Sequence, residues 1–265
     1  MIEARSVVVE RGGTRILHGI DLGQHRGELG VLLGPSGSGK STLFKALMGL
    51  WPVAGGQVLL DGQPIGRVDP AVLARTIGSV PQDDIVHLDL GLRSALTYSA
   101  RLRLPETTSE AEIAAAVDRV LAALELTERA HLRIKSLSGG QRKRASIASE
   151  LLLAPPVLFL DEPTSGLDPE LEASTMRLLR RLADEGRAVL TTTHATASLD
   201  LAHFTVVIVK GRLAWAGPAA AMLEHFQVSD PDLVFKKLRE AEPDEWARRW
   251  EASPRRAAFA ARPAP

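Results

Sequence analysis

A chain of 265 residues, 45% apolar and 24% charged, is long enough for one large α/β domain or for two lobes around one site. Its 32 basic residues balance its 32 acidic ones, so no overall field draws it onto nucleic acid or acidic lipid. It has no cysteine, which excludes disulfides, thiolate chemistry and cysteine-held metal, and no uninterrupted apolar run reaches membrane-spanning length.

In chain order, Met1 is followed by Ile2-Glu3-Ala4-Arg5 and not by a basic segment and an apolar core, so no export signal is expected. Residues 5 to 22 alternate and then turn apolar around Gly12-Gly13, which predicts an antiparallel hairpin. Glu28 to Leu33 is an apolar run of strand length, and Leu43 to Leu50 carries apolar residues at helical spacing. Between them, Gly34-Pro35-Ser36-Gly37-Ser38-Gly39-Lys40-Ser41-Thr42 fits G-x-x-x-x-G-K-[ST] at every fixed position. Strand, loop and helix together describe a loop built to wrap nucleotide phosphates, since its glycines let backbone N–H groups turn inward and the helix aims its positive end at the same point. Lys40 would reach the β- and γ-phosphates of ATP, and the Ser41 hydroxyl would sit on Mg²⁺.

Gln57 to Leu60 with Asp61-Gly62 reads as a strand and turn, and Ile77 to Val80 as a short strand ending at Pro81-Gln82. From about Arg93 to Leu153 the pattern is helical, with a capping box at Ser109-x-x-Glu112 and apolar residues from Ile113 to Leu124 at helical spacing. This predicts an inserted helical lobe. Within it, Leu137-Ser138-Gly139-Gly140-Gln141 forms a second glycine turn and helix start. One nucleotide does not need two phosphate cradles, so a turn carried by a separate lobe is usable on ATP held by another subunit.

Val157 to Leu160 is a continuous apolar strand that delivers Asp161 and Glu162 at its C-terminal end, where open α/β sheets place ligands. Asp161 would hold Mg²⁺ directly or through water, leaving Glu162 to polarise the water that attacks the γ-phosphate. Asp168 can cap the next helix, Pro169 opens it and Gly186 stops it; Ala188 to Thr192 is a strand that delivers His194. Thr205 to Val209, Lys210-Gly211 and Arg212 to Trp215 predict a hairpin. From Gln227 the chain is charged and carries Pro231, Pro243, Pro254, Pro263 and Pro265, the composition of a linker. Trp246 and Trp250 share a helical face there, and either pack on their own domain or its linker or form a docking helix near a membrane-domain junction.

The phosphate loop, Leu-Ser-Gly-Gly-Gln about twenty residues before Asp161-Glu162, and the later His194 together resemble the nucleotide-binding domain of an ABC transporter over about residues 5 to 217. The resemblance implies an α/β fold: a P-loop ATPase core with an antiparallel β subdomain and an inserted α-helical subdomain. It implies an ATPase domain over 1–226, with the helical part at about 93–153, and a 227–265 extension toward a membrane domain. Gln82 resembles the Q-loop glutamine that contacts Mg²⁺ or the attacking water and links the site to the membrane domain. Ser165-Gly166-Leu167-Asp168 resembles the D-loop along a dimer seam, and His194 the switch histidine that holds the γ-phosphate and orients Glu162. ABC proteins usually stack an aromatic residue of the first hairpin on adenine; here Arg11 stands in that place, where its guanidinium either stacks on the base or is a solvated charge.

Ser138 to Ala148, Asp161 to Asp168, and Lys210 to Pro218 followed by Met222 to Phe226, are similar to the White, or G-type, exporters. Val80-Pro81-Gln82-Asp83-Asp84-Ile85-Val86-His87 and Tyr98 to Pro105 are similar to bacterial G-type half-transporters that carry forkhead-associated domains before the cassette. Implied partners are therefore a second cassette closing head-to-tail over two Mg·ATP, a transmembrane domain, and forkhead-associated domains in the same polypeptide. The implied place is the cytoplasmic face of the cell membrane. No nucleic-acid partner is expected, because Arg142-Lys143-Arg144 lies within a family motif. Two competing classes remain: a non-transport ABC ATPase acting on ribosomes or DNA, and a nucleotide-gated module without catalysis, against which Glu162 and His194 argue.

Overall fold

The computed structural model describes residues 1–83, 86–194 and 196–261; Asp84 and Ile85 of the block quoted above, and the tail prolines Pro263 and Pro265, lie outside the described residues. The opening alternation becomes two long antiparallel strands, β1 (Ile2–Arg11) and β2 (Thr14–Gln24). β3 (Leu29–Leu33), buried at every position, leads through the glycine loop into α1 (Lys40–Leu47). There follow β4 (Gly55–Leu60), β5 (Gln63–Pro64), α2 (Pro70–Thr76) and β6 (Ile77–Val80), which ends just before Gln82.

Three helices make the inserted lobe: α3 (Leu92–Arg103), α4 (Glu110–Ala123) and α5 (Gly139–Leu151). Full capping boxes, Ser109 with Glu112 and Ser138 with Gln141, start the last two and satisfy N–H groups that would otherwise be orphaned. The chain continues through β7 (Val157–Leu160), α6 (Pro169–Asp184), β8 (Ala188–Thr192), β9 (Phe204–Val209), β10 (Arg212–Gly217) and α7 (Ala219–Phe226). It closes with α8 (Asp232–Lys237), α9 (Pro243–Glu251) and α10 (Pro254–Ala260).

The strands form two sheets, β2-β1-β4-β5 and β10-β9-β3-β8-β7-β6. The first is antiparallel; in the second every pairing is parallel except that of β10 with β9. All residues of β3, β7, β8 and β9 are buried, as parallel strands covered on both faces must be. Parallel register decides where the chemistry goes. Val80 pairs with Leu160 and Leu160 with Thr191, so Gln82, Asp161-Glu162 and Thr192-Thr193-His194 leave the sheet along one edge. The glycine loop after β3 leaves the same edge, because Leu32 pairs with Thr192.

The C-terminal segment departs from the linker its prolines predicted: through Ala261 it lies on the body as three short helices. Pro243 and Pro254 occupy the opening turns of α9 and α10, where a missing N–H costs nothing and a fixed φ favours the helix. Trp246 and Trp250, 1% and 2% exposed, pack on their own domain. The Trp250 ring meets Trp215 at 5.2 Å, the Trp246 ring meets Phe226 at 5.2 Å, and Trp246 Nε1 donates to Leu238 O at 3.3 Å. Among the described residues no helix is long and apolar enough to cross a membrane.

Two of the histidines whose pKa burial lowers, His225 in this packing and His203 against β3, make the fold sensitive to acid. His225 sits 5.1 Å from the Trp215 ring, and burial pushes its imidazole below the ordinary 6.5, a hydrogen bond with the Ala214 backbone opposing and Arg255 and Arg249 assisting. His203 is lowered by burial and by Arg180, and its Nδ1 accepts from Leu29 N–H at 2.8 Å. Both groups take protons more readily in the unfolded chain, so their contribution is fully present above pH 6.5 and is lost as pH falls below it. Urea unfolding should show lower stability at about pH 5.5 than at about pH 7.5, and His225→Phe should flatten that dependence. An unchanged slope in the variant would assign the effect elsewhere.

Candidate functional site

The glycine loop takes its shape from close backbone contacts. A Cβ on Gly34 would lie 2.3 Å from Ile208 O and 2.6 Å from Ser38 Oγ, so only glycine fits. Gly39, at φ +104°, precedes α1 without offering a side-chain cap, and no acidic residue sits in the helix's first turn. Side chains cap α2, α4, α5, α6 and α10, whereas α1, like α3, α7, α8 and α9, begins without one; at α1 the uncapped N–H groups follow directly on the glycine loop, a ready place for an anion. Lys40 is 7% exposed, and its Nζ donates to Gly34 O at 2.7 Å and Pro35 O at 3.2 Å. Burial lowers its pKa from the usual lysine value, and the carboxylates of Glu162 and Asp161 pull it back up. Ser41 and Thr42 fall in the first turn of α1. Pro35, Ser36, Gly37 and Ser38 also line a cavity of about 310 Å³ shared with Leu238, Arg239 and Glu242 of the C-terminal segment.

The carboxylates stand opposite this loop. Asp161 Oδ2 accepts from Ser41 Oγ at 2.9 Å, and its Oδ1 accepts from Thr192 Oγ1 at 2.6 Å. Thr192 Oγ1 in turn accepts from the backbone N–H of Glu162 at 2.8 Å, so one hydroxyl fixes both acidic residues. Glu162 has φ +49°, a left-handed conformation that costs a β-carbon residue about 1–3 kcal/mol and that collects at working sites. Its carboxylate, 18% exposed, receives His194 Nε2 at 2.9 Å on Oε1 and Gln82 Nε2 at 3.2 Å on Oε2. Gln82, Asp161, Glu162 and His194 therefore converge, as expected from their separate strand ends.

Among the described residues, no group of three or more His, Asp and Glu side chains could hold a metal by itself. A hydroxyl and a carboxylate 2.9 Å apart, beside a buried lysine and an uncapped helix terminus, instead fit a hard divalent cation whose remaining ligands are phosphate oxygens and water. A carboxylate held between the Gln82 amide and the His194 ring suits the acceptance of a proton from water.

The second glycine turn lies apart from this cluster. Ser138 N–H donates to Gln141 Oε1 at 3.0 Å and Ser138 Oγ accepts from Gln141 N–H at 3.3 Å, while Gly139 and Gly140 lie against Leu167 and Leu171. Asp168 Oδ1 accepts from the N–H groups of Glu170 and Leu171 at 3.1 and 2.9 Å, so this carboxylate caps α6. Among the described residues no hydrogen bond joins Ser138, Gly139, Gly140, Gln141 or Asp168 to the loop around Lys40. The exposed Arg11 guanidinium lies 4.1 Å over the Trp51 ring, which Lys45 approaches at 4.8 Å. Sequence reasoning missed this indole, and it missed Thr192. The run Thr191-Thr192-Thr193 at a strand's C-terminal end was the available signal, since a third hydroxyl, Thr193 Oγ1, lies 3.1 Å from Thr164 Oγ1 just beyond Glu162.

A family model described as ABC transporter matches residues 17–165. The chain is 45% identical over 208 residues to the ABC transporter ATP-binding/permease protein Rv1747 of Mycobacterium tuberculosis, covering 78% of this chain and 24% of that protein. It is 39% identical over 219 residues to ABC transporter G family member 14 of Arabidopsis thaliana, covering 80% of this chain and 33% of that protein. It thus spans about a quarter of one relative and a third of the other. Among solved structures, cbiO1 from Clostridium perfringens, part of the ABC transporter complex cbiONQ, superposes with a TM-score of 0.77 at 28% identity over 92% of this chain and 96% of that one.

Proposed function

Because this chain belongs to the ABC transporter family, whose ATP-binding domains hydrolyse ATP, we propose that it is the catalytic cassette of a G-type exporter and drives a transmembrane partner by closing on a second cassette. One observation carries the catalytic part. Glu162 receives His194 on one oxygen and Gln82 on the other, beside the Ser41–Asp161 pair.

In the proposed reaction, water attacks the γ-phosphoryl group of ATP, the P–O bond to the β-phosphate breaks, and Glu162 accepts the water's proton. His194 and Gln82 hold the carboxylate toward that water. Lys40 and the N–H groups at the start of α1 hold the phosphates as charge shifts to the leaving oxygen. Ser41 and Asp161, with Gln82 as a further contact, would hold the Mg²⁺ that supplies positive charge to the phosphoryl oxygens. Ser138, Gly139, Gly140, Gln141 and Asp168 would close over ATP held by the partner cassette. Arg11 and Trp51 together offer a cationic, aromatic edge for the base. The similarity to half-transporters with forkhead-associated domains extends the proposal to such domains in the same polypeptide, at the cytoplasmic membrane face.

The purified chain should release phosphate from ATP in the presence of Mg²⁺, and Lys40→Ala should weaken ATP binding by at least about tenfold, the size expected for a desolvated charge on phosphate. Equilibrium binding and a phosphate-release assay check both. An inactive wild-type chain that still closes on ATP would favour the non-catalytic reading.

A further inference from the structure

Helix α5 touches the catalytic strands at two points on one face. Lys143, one turn into the helix and 8% exposed, donates from Nζ to the backbone carbonyl of Gln82. Seven residues on, hence on the same side of the helix, Glu150 Oε2 accepts from the backbone N–H of Ser79 at 3.1 Å. Arg103 at the end of α3 holds the Glu150 carboxylate with two bonds of 2.8 and 2.9 Å. One helix therefore grips both ends of the segment from Ser79 to Gln82, and Gln82 is the residue whose amide donates to Glu162.

We infer that Lys143 is a positioning residue: it fixes the Gln82 peptide, and through it the Gln82–Glu162 hydrogen bond, to the orientation of α5. The inference rests on the proposed function above, because the N-terminus of α5 is the Ser138–Gln141 turn that would meet the partner's ATP. A rotation of α5 on closure would shift Gln82 at the chain's own site, so that each site reports the other's occupancy. The ammonium acts on a carbonyl of the main chain, so it sets where the glutamine stands and leaves its side-chain chemistry untouched.

The test compares Lys143→Met, Lys143→Arg, Gln82→Ala and the double variant Lys143→Met/Gln82→Ala in the full chain, with Lys143→Gln as the substitute should the Met variant not fold. Lys143→Met should lower kcat about tenfold with ATP affinity within about twofold of wild type, the split expected when a reacting group is misplaced and not removed. Lys143→Arg, which keeps a long cationic donor, should recover most of that loss. The double variant should be no slower than Gln82→Ala alone. Hydrogen exchange of the 77–83 peptide should quicken in Lys143→Met while that of β3 is unchanged. Wild-type kcat in Lys143→Met, or losses that multiply in the double variant, would overturn the inference. A wild-type chain without phosphate release would sink the ATPase reading alone, and the exchange measurement then decides Lys143, unchanged exchange counting against it.

Discussion

Glu162→Gln should lower ATP turnover by at least about a hundredfold while leaving ATP binding intact, since general-base catalysis supplies factors of about 10²–10⁴. The substitution keeps the volume of the side chain and the left-handed backbone at this position, so the fold is not the variable. Two things change. The carboxylate can no longer take a proton, and it no longer presents an acceptor on both sides: Gln82 Nε2 donates to one Glu162 oxygen and His194 Nε2 lies 2.9 Å from the other, whereas a glutamine offers one acceptor and one donor. One of the two orienting contacts must therefore break or turn. With hydrolysis blocked and the phosphate loop untouched, the ATP-bound closed dimer should accumulate, as a shift in elution volume with Mg·ATP. Wild-type turnover in this variant would remove Glu162 from its role.

The second large effect is expected at Ser138→Arg. Ser138 is exposed at the start of α5, and its own bonds are the local capping box with Gln141. Losing the cap costs about 1 kcal/mol, too little to unfold the chain. If the proposed dimer seats a partner's triphosphate here, a bulky cation should abolish closure and phosphate release, with monomer ATP affinity near the wild-type value. Light scattering and nucleotide titration separate the two. If affinity vanished with closure, the turn would be serving its own chain's ATP.

Much of this architecture was legible because each local pattern agreed with its surroundings. The continuous apolar run Val157–Leu160 had to be a strand covered on both faces, and Asp168-Pro169 with Gly186 bracketed α6 from both ends. The same Asp-Pro signature stands at Asp69-Pro70, yet α2 was not anticipated: it is seven residues long and buries none of them, so it has no apolar period to read. The C-terminal helices failed for the opposite reason. Proline starts helices and also fills linkers, and only the partners of Trp246 and Trp250 decide which; those partners, Phe226 and Trp215, are supplied by α7 and β10.

At the site, residue identity announced Lys40, Asp161 and Glu162 because their spacing from the glycine loop and the strand end is fixed. Thr192 was silent, since a threonine at the end of a strand is ordinary by composition and acquires meaning only when parallel register sets it beside Asp161. Arg11 was placed correctly in the first hairpin, but Trp51, forty residues along the chain, is what its guanidinium meets.

That arrangement divides the four tryptophans three to one. Trp215, Trp246 and Trp250 are shielded in a common cluster, whereas Trp51 is half-buried between two cations. Intrinsic fluorescence should accordingly resolve into a blue component that aqueous quenchers hardly reach and a redder one that iodide darkens far more than caesium does, because the guanidinium and ammonium groups concentrate the anion and repel the alkali ion. The red component gives the molecule a built-in optical probe beside the end of the first hairpin strand, with no dye attached.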